Sequence, residues 1–376
     1  MSQRISFFLP SMVDGGAERV TLNLIQYLAH HYSFTLDLVL VSATGAFIEQ
    51  VPPQVNIIDL KASRTLTSLP GLVKYLRSNR PAALLTGMDF VNVVALSAVK
   101  LSRVNVRTVA CIHINMSAQL NNLGLFLGVM STWLVKFTHP WANVIVGVSR
   151  GSGEDFIKVT GVGTDSMRYI YNPVITDSLA SLAAEDLGHP WFQKGQPPVV
   201  LAVGRLVYQK NFQLLIDAFA EVRKTCNARL MILGDGEERD ELEAKVKSLN
   251  IRDDIEMPGF VENPYSYMKN AAVYVLSSRY EALPTVLIEA MYCGTQLVAV
   301  DCPSGPREIL LDGKYGELVP PESRGELANA IVRALEREEF KQDPAACDRF
   351  TDHNVIKQYL DALLGESAGD VVQGRG

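Results

Sequence analysis

Short apolar runs of strand length alternate along this chain with longer stretches whose apolar residues recur every three or four positions, the pattern of strands interleaved with amphipathic helices. Residues 4–10 (RISFFLP) read as a buried strand, SMVDGGAE as a loop, and residues 17–30 as a helix with Val20, Leu22, Leu24, Ile25 and Leu28 on one face. The pattern then predicts strands over 34–41, 56–60, 82–86, 106–114, 144–149 and 169–174, with helices over 71–79 and 91–101. Residues 120–136 form an apolar, helical stretch. Between 175 and 198 the periodicity fades and Gly188, Pro190, Gly195, Pro197 and Pro198 accumulate, as a domain connection requires. Strands resume over 199–203, 229–233, 255–257 and 296–300, and the sheet region ends at 319–321. Helices are expected over 212–224, 237–249, from Pro284 to a stop at Gly294, over 323–337 and over 354–364.

A strand, a glycine loop and a helix open a doubly wound unit, so the fold class is α/β with two domains of similar size. The expected division is 1–175, a connection over 176–198, a second domain over 199–350, a last helix over 351–364 and a frayed tail over 365–376. No internal repeat appears beyond the likeness of the two halves.

Composition agrees with this picture: 376 residues at 48% hydrophobic suffice for two ordinary cores. The apolar run at 5–9 is too short for a signal core, and the one at 123–135 is too short to span a bilayer. Five widely spaced cysteines (Cys111, Cys226, Cys293, Cys302, Cys347) without a C-x-x-C pair read as buried thiols in a reducing, cytoplasmic compartment. Residues 1–180 carry a net charge of +4 and residues 181–376 one of −10. That asymmetry permits contact between the first half and an anionic membrane surface. The 120–137 region reads as a core or interdomain helix, or as a face for a lipid-linked acceptor or membrane interface. Its lack of a lysine-rich polar face argues against strong independent binding. No basic–aromatic pattern for nucleic acid is present.

The candidate chemistry centres on SSRYEALPTVLIEAMYCG, residues 277–294. Pro284 suits the first turn of a helix, leaving the amides of Thr285 and Val286 to face an anion. Glu281 precedes this start and Glu289 lies more than a turn inside, so the two carboxylates can hold hydroxyl groups on either side of a phosphate. The competing reading is a buried helix with two solvated glutamates. In GRLVYQKN, Arg205 and Lys210 fall between a strand and a helix, where a guanidinium fork and a mobile ammonium suit a diphosphate. Two ordinary surface cations are the alternative. Gly15 and Gly16 permit close backbone approach at another helix start, in a pattern that is neither G-x-G-x-x-G nor a Walker sequence. His113 lies where a strand runs out, as a ligand contact or as a structural histidine. GDG, with Gly234 and Gly236, is mainly turn chemistry. The loop PGFVEN, which holds Val261, offers main-chain groups to a base edge.

The set GGAER, GRLVYQKN, GDG, Glu281 with Glu289, and PSGPREIL, in this order over nearly the whole chain, resembles family 4 of the retaining glycosyltransferases. PSGPREIL with EALPTVLIEAM is similar to the branch that builds bacterial lipopolysaccharide cores and other surface glycans. The resemblance implies a GT-B architecture, with two Rossmann-like α/β/α domains facing across a cleft. The second would hold most of the donor and the first the acceptor, and the final helix would cross back to the first. It further implies that Arg205 and Lys210 neutralise the diphosphate, Glu289 holds the ribose hydroxyls and Glu281 contacts the transferred sugar as a positioning group. Main-chain groups around Leu283, Pro284 and Thr285 would meet the phosphate or sugar, and Gly16 would close on the diphosphate from the first domain. His113 matches the family's first-domain histidine near the donor sugar. Ala282 stands where the family typically has glycine, which puts the exact backbone angles of that loop in question.

The implied reaction transfers a hexose from a nucleoside-diphosphate sugar to a glycan or lipid-linked acceptor, with no cofactor and no metal. The anomeric configuration is retained, and the leaving phosphate takes the acceptor's proton on the same face. The competing readings are another GT-B enzyme, a nucleotide-sugar 2-epimerase or a phosphorylase, and a catalytically silent nucleotide-binding scaffold. The expected location is the cytoplasm, at the inner face of the membrane.

Overall fold

The computed structural model describes residues 3–13, 15–122, 125–337 and 341–365. The chain divides into two compact units, one made of the residues up to Val174 together with those from Phe350 onward, the other of Ile175–Arg349.

The first unit contains β1 (Arg4–Leu9), α1 (Gly16–His31), β2 (Thr35–Leu40), β3 (Asn56–Asp59), α2 (Leu69–Asn79), β4 (Ala83–Gly87) and α3 (Asp89–Ser102). It continues with β5 (Arg107–Ile112), α4 (Met116–Asn122), α5 (Leu125–Thr138), β6 (Val144–Gly147), α6 (Arg150–Thr160) and β7 (Met167–Tyr169). All strands pair in parallel, in the order β3-β2-β1-β4-β5-β6-β7. Helices cover both faces, which is why β1 and β2 are buried along their length and read as near-continuous apolar runs. The exception in β2 is Asp37, fully buried. It accepts hydrogen bonds from Arg4 at 2.6 Å, Tyr75 at 2.5 Å and Asn56 at 2.8 Å, so its charge is answered on three sides. Burial and this carboxylate together hold the Tyr75 hydroxyl well above its ordinary pKa.

The second unit contains α7 (Asp177–Ala183), β8 (Val199–Val203), α8 (Phe212–Val222), β9 (Arg229–Leu233), α9 (Arg239–Ser248), β10 (Ile255–Gly259) and α10 (Pro264–Asn270). After these come β11 (Val273–Leu276), α11 (Thr285–Tyr292), β12 (Gln296–Val300), α12 (Pro306–Ile309), β13 (Glu317–Val319) and α13 (Arg324–Glu336). Its sheet is also parallel, in the order β10-β9-β8-β11-β12-β13. One core joins α8 and α13 to β8, β9, β11 and β12 through residues such as Phe219, Leu215, Ile331 and Val275. The last helix, α14 (Asp352–Leu364), belongs to the first unit. Its Val355, Ile356, Tyr359, Leu360 and Leu363 share a core with β1, β5 and α1, and Arg107 donates to the Ala362 carbonyl at 2.7 Å.

The described residues of 120–136 are helical, as expected. Two expectations need correction. Residues 169–174 add little strand, since β7 ends at Tyr169. Helices α6, α7 and α10 escaped the periodicity reading: α6 is polar with two glycines and starts from a Ser149 cap, and the other two span seven residues each. The expected tail lies outside the described residues from 366 onward. Among the described residues no helix is long and apolar enough to cross a membrane.

Candidate active site

In an open parallel sheet, neighbouring loops part at the carboxyl ends of the two strands where the winding direction reverses, and ligands settle there. In the second unit that point lies between β8 and β11. The loop after β8 carries Gly204, Arg205 and Lys210; the loop after β11 carries Ser277 to Pro284, and α11 follows with Glu289. The residues singled out in GRLVYQKN and SSRYEALPTVLIEAM are therefore neighbours.

The two loops interlock. Lys210 Nζ and Glu281 Oε1 form an ion pair at 2.6 Å, with side chains only 17% and 7% exposed. Ser278 donates to the same carboxylate oxygen at 2.7 Å, and Gln209 Nε2 donates to Oε2 at 3.3 Å and to the Tyr280 carbonyl at 3.0 Å. Ser277 donates to the Lys210 carbonyl at 2.8 Å, and the Arg279 amide to the Gln209 carbonyl at 2.8 Å. The Arg279 guanidinium also lies 4.1 Å from the centre of the Tyr208 ring. Asn211 takes a left-handed conformation, φ 51°, to turn from this loop into α8, a conformation that asparagine tolerates better than most residues. Arg205 differs from Lys210: it is exposed, and its guanidinium has no ion pair or hydrogen bond among the described residues. A fixed carboxylate–ammonium pair and an uncommitted guanidinium thus share one sheet edge.

The start of α11 adds backbone donors. Pro284 occupies the N-cap, so the helix begins one residue later, at Thr285, and the first-turn amides of Thr285 and Val286 have no intrahelical acceptor. Gly305, φ 91°, packs directly under Pro284, where a Cβ would collide with the proline ring. That contact explains the glycine of PSGPREIL. Glu289 is 8% exposed on α11, and its charge, with that of Glu281, helps burial raise the pKa of Tyr274, whose hydroxyl donates to the Val203 carbonyl at 3.5 Å. On the other side of β8, Gly234, φ 135°, lies against the Gly204 carbonyl and donates to the Gly259 carbonyl at 2.8 Å. Gly204, Gly234 and Gly259 make a row of bare backbone across the ends of β8, β9 and β10. Val261 follows at the edge strand, about two strand spacings (~10 Å) from β8.

In the first unit the winding reverses between β1 and β4. Gly15 is the N-cap of α1 and Gly16 its first residue. A Cβ on Gly15 would strike the Glu18 carboxylate, whereas one on Gly16 would meet nothing within 4 Å. Gly16 has no positive φ either, so the fold by itself does not require glycine there. His113 follows β5 and lays its ring over Gly87 at the end of β4, where an added Cβ would sit 2.9 Å from the imidazole. Burial pushes the His113 pKa down to about 4, making the ring a neutral polar group at physiological pH.

Sequence reasoning gives roles to the charged residues but none to Gln209, Ser277 and Ser278 within the same two motifs, and it misses Tyr274 and Gly87. A serine pair before Arg279 and a lone glycine at a strand end carry no signal until their partners are known. Gly305 was in view as part of a motif but without a reason. Among the described residues no group of three or more His, Cys, Asp or Glu side chains is arranged to hold a metal ion.

Comparison with known proteins agrees over both units. Residues 14–178 match the model of Glycosyltransferase Family 4, and residues 188–348 that of Glycosyl transferases group 1. The amylovoran biosynthesis glycosyltransferase AmsD of Erwinia amylovora is 33% identical over 307 residues, 80% of this chain and 82% of its own. The N-acetylgalactosamine-N,N'-diacetylbacillosaminyl-diphospho-undecaprenol 4-alpha-N-acetylgalactosaminyltransferase of Campylobacter jejuni is 28% identical over 353 residues, 90% and 92% of the two chains. Among solved structures, the lipopolysaccharide outer core galactosyltransferase WaaB superposes with a TM-score of 0.73 at 21% identity, over 97% of this chain and 100% of that one. An Anabaena protein, HepE, solved with UDP and glucose, superposes with a TM-score of 0.74 at 21% identity, over 99% and 100%. With two parallel-sheet α/β units and matches across both, the chain has the GT-B fold and belongs to family 4 of the glycosyltransferases.

Proposed function

We propose that this glycosyltransferase moves a hexose or hexose derivative, with retention of configuration, from a nucleoside-diphosphate sugar to a glycan or lipid-linked acceptor in surface polysaccharide or lipopolysaccharide synthesis. The observation that carries the reading is the sheet edge where unpaired Arg205, the Lys210–Glu281 pair and the start of α11 converge. In the transfer, the bond from the sugar's anomeric carbon to the diphosphate breaks with its electron pair going to the phosphate. The acceptor oxygen bonds to that carbon on the same face and yields its proton to the departing phosphate.

Arg205, Lys210 and the first-turn amides of α11 stabilise the negative charge that develops, the task a divalent ion performs in other enzymes. Glu281, held by Lys210, Ser278 and Gln209, positions the transferred sugar, and Glu289 holds the ribose hydroxyls. The bare row at Gly204 and Gly234, with the loop at Val261, accepts the nucleoside. Gly16 gives a phosphate close access to the backbone of the first unit, and neutral His113 hydrogen-bonds a sugar hydroxyl.

The Erwinia relative's name places it in amylovoran biosynthesis and the Campylobacter relative's names a diphospho-undecaprenol-linked acceptor, which support a polymer or lipid-linked acceptor here. The unpaired thiols support a cytoplasmic location.

The test begins with a panel of nucleotide sugars screened for protection against thermal unfolding, since a ligand bound only by the folded chain raises the midpoint. The protecting donor is then incubated with and without candidate acceptors, and the product's anomeric configuration is read by NMR. Donor conversion without acceptor, a requirement for inorganic phosphate, an inverted product, or a rate abolished by a chelator would each overturn part of this reading.

A further inference from the structure

α5 is strongly apolar, its hydrophobic residues interrupted by Ser131, Thr132, Lys136 and Thr138, and a helix of that kind is normally covered over most of its surface. Here one side only is covered. Gly128, Val135 and Thr138 are buried and Leu134 half-buried, beside Phe156 and Ala142. The opposite side exposes Val129 (62%), Met130 (41%), Trp133 (63%) and Phe137 (54%). At one turn per 3.6 residues these four fall within a sector of about 100°. The Trp133 and Phe137 rings lie parallel, centroids 5.6 Å apart, and Trp141 meets Phe137 edge-on at 5.0 Å. A contiguous exposed aromatic surface of this kind marks a docking face.

The charge around it identifies what docks. No Asp or Glu occurs between Asp89 and Glu154, while Lys100, Arg103, Arg107, Lys136 and Arg150 do. Arg150 is paired with Glu154, and Arg107 is turned inward to the Ala362 carbonyl. Lys136 is exposed beside the aromatic row on α5, and the Lys100 ammonium lies 5.8 Å from the centre of the Trp141 ring. Arg103 ends α3, which packs against α5. Two copies meeting through this face would bring the lysines of one against those of the other, and α5 itself carries no carboxylate to answer them. Indole and phenyl rings flanked by lysines match the interface of an anionic bilayer, where rings sit at headgroup depth and ammonium groups meet phosphate. We propose that this face seats the first unit on an anionic lipid surface, with Trp133 and Phe137 entering the headgroup–acyl boundary and Lys136 and Lys100 on lipid phosphates.

The test uses the full chain and vesicles carrying neither nucleotide sugar nor acceptor, so its outcome is independent of the proposed transfer reaction. Cosedimentation is measured with phosphatidylglycerol–phosphatidylethanolamine vesicles and with phosphatidylcholine vesicles, at low salt and at about 0.15 M salt. The chain is expected to sediment with the anionic vesicles and far less with the neutral ones. Trp133→Ser with Phe137→Ser should weaken partitioning by about tenfold or more. Lys136→Glu should weaken it chiefly at low salt. Far-UV circular dichroism checks that the variants stay folded, and tryptophan quenching by brominated lipid, strong in the parent chain and reduced in Trp133→Phe, reports insertion of that ring among the chain's three tryptophans. Absence of binding to anionic vesicles at low salt, undiminished binding by the double serine variant, or a dimer that this variant dissolves in place of vesicle binding would each overturn the proposal.

Discussion

Arg205 and Lys210 share a loop and a charge but not an environment, and this separates their expected behaviour on substitution. Arg205 is exposed and unpaired, so Arg205→Ala should change stability by no more than about 0.5 kcal/mol. The same variant should lose on the order of 10²–10³ in kcat/KM, the usual effect of removing one preorganised donor to a charged transition state. Urea unfolding and steady-state kinetics on one preparation check both halves. Lys210 is nearly buried against Glu281, so Lys210→Met leaves a carboxylate with only Ser278 and Gln209 to satisfy it. That variant should cost about 3 kcal/mol, and adding Glu281→Gln should restore at least half, because a neutral amide needs no counter-charge. Transfer should be lost in both. A double variant no more stable than Lys210→Met would show that the pair is not what holds the loops together.

The loop after β8 and the loop after β11 form one rigid piece through main-chain and side-chain bonds, and α11 begins on it. The loop before α12 supports that beginning from the side, where Gly305 lies under Pro284. Gly305→Ala meets two penalties there, a φ of 91° and a collision with the proline ring. The expected result is a loss of about 2 kcal/mol together with weaker nucleotide-sugar protection in thermal unfolding, since relief of the collision displaces Pro284 and the amides of Thr285 and Val286. Gly16→Ala is the contrasting case: a methyl there meets nothing within 4 Å, and an alanine near a helix start is well tolerated. Stability should be unchanged or slightly higher, and any fall in donor affinity would then come from the ligand side alone.

At the scale of the whole molecule, the two units should differ in acid. His113 and His139, both in the first unit, are pushed by burial to a pKa of about 4 from an ordinary 6.5. The His139 Nδ1 lies 3.1 Å from the Val135 carbonyl, and its Nε2 is buried without a partner. Below pH 6.5 the unfolded chain takes up protons that the native unit refuses, so stability falls as pH drops from 6.5 to 4, while above 6.5 these histidines add no slope. For the fully buried His139 the loss approaches about 3 kcal/mol. Urea unfolding followed at several pH values should show the first unit weakening over this window, and His139→Gln should flatten part of the slope. The first unit also depends on α14, which brings Val355, Ile356, Tyr359, Leu360 and Leu363 into its core. At about 2 kcal/mol for each buried side chain, ending the chain at Arg349 should leave that unit unable to fold, read as loss of a cooperative transition.

The alternation of apolar runs and helical stretches determined by itself that this is a parallel α/β protein in two halves, because burial on both faces of a strand leaves a one-dimensional trace. The sequence also named Arg205, Lys210, Glu281 and Glu289, since charged residues between a buried strand and a helix are few. Tertiary structure alone decided strand order, and with it the two reversal points that bring the loops after β8 and β11 side by side. It joined Lys210 to Glu281 across 71 residues and matched Gly305 to Pro284, contacts that no local pattern encodes because they depend on which strands become neighbours. It also decided which side of α5 is covered. A helix as apolar as α5 gives only a weak periodic stripe to read, and only the packing of α3 and α6 against it leaves Trp133 and Phe137 facing outward.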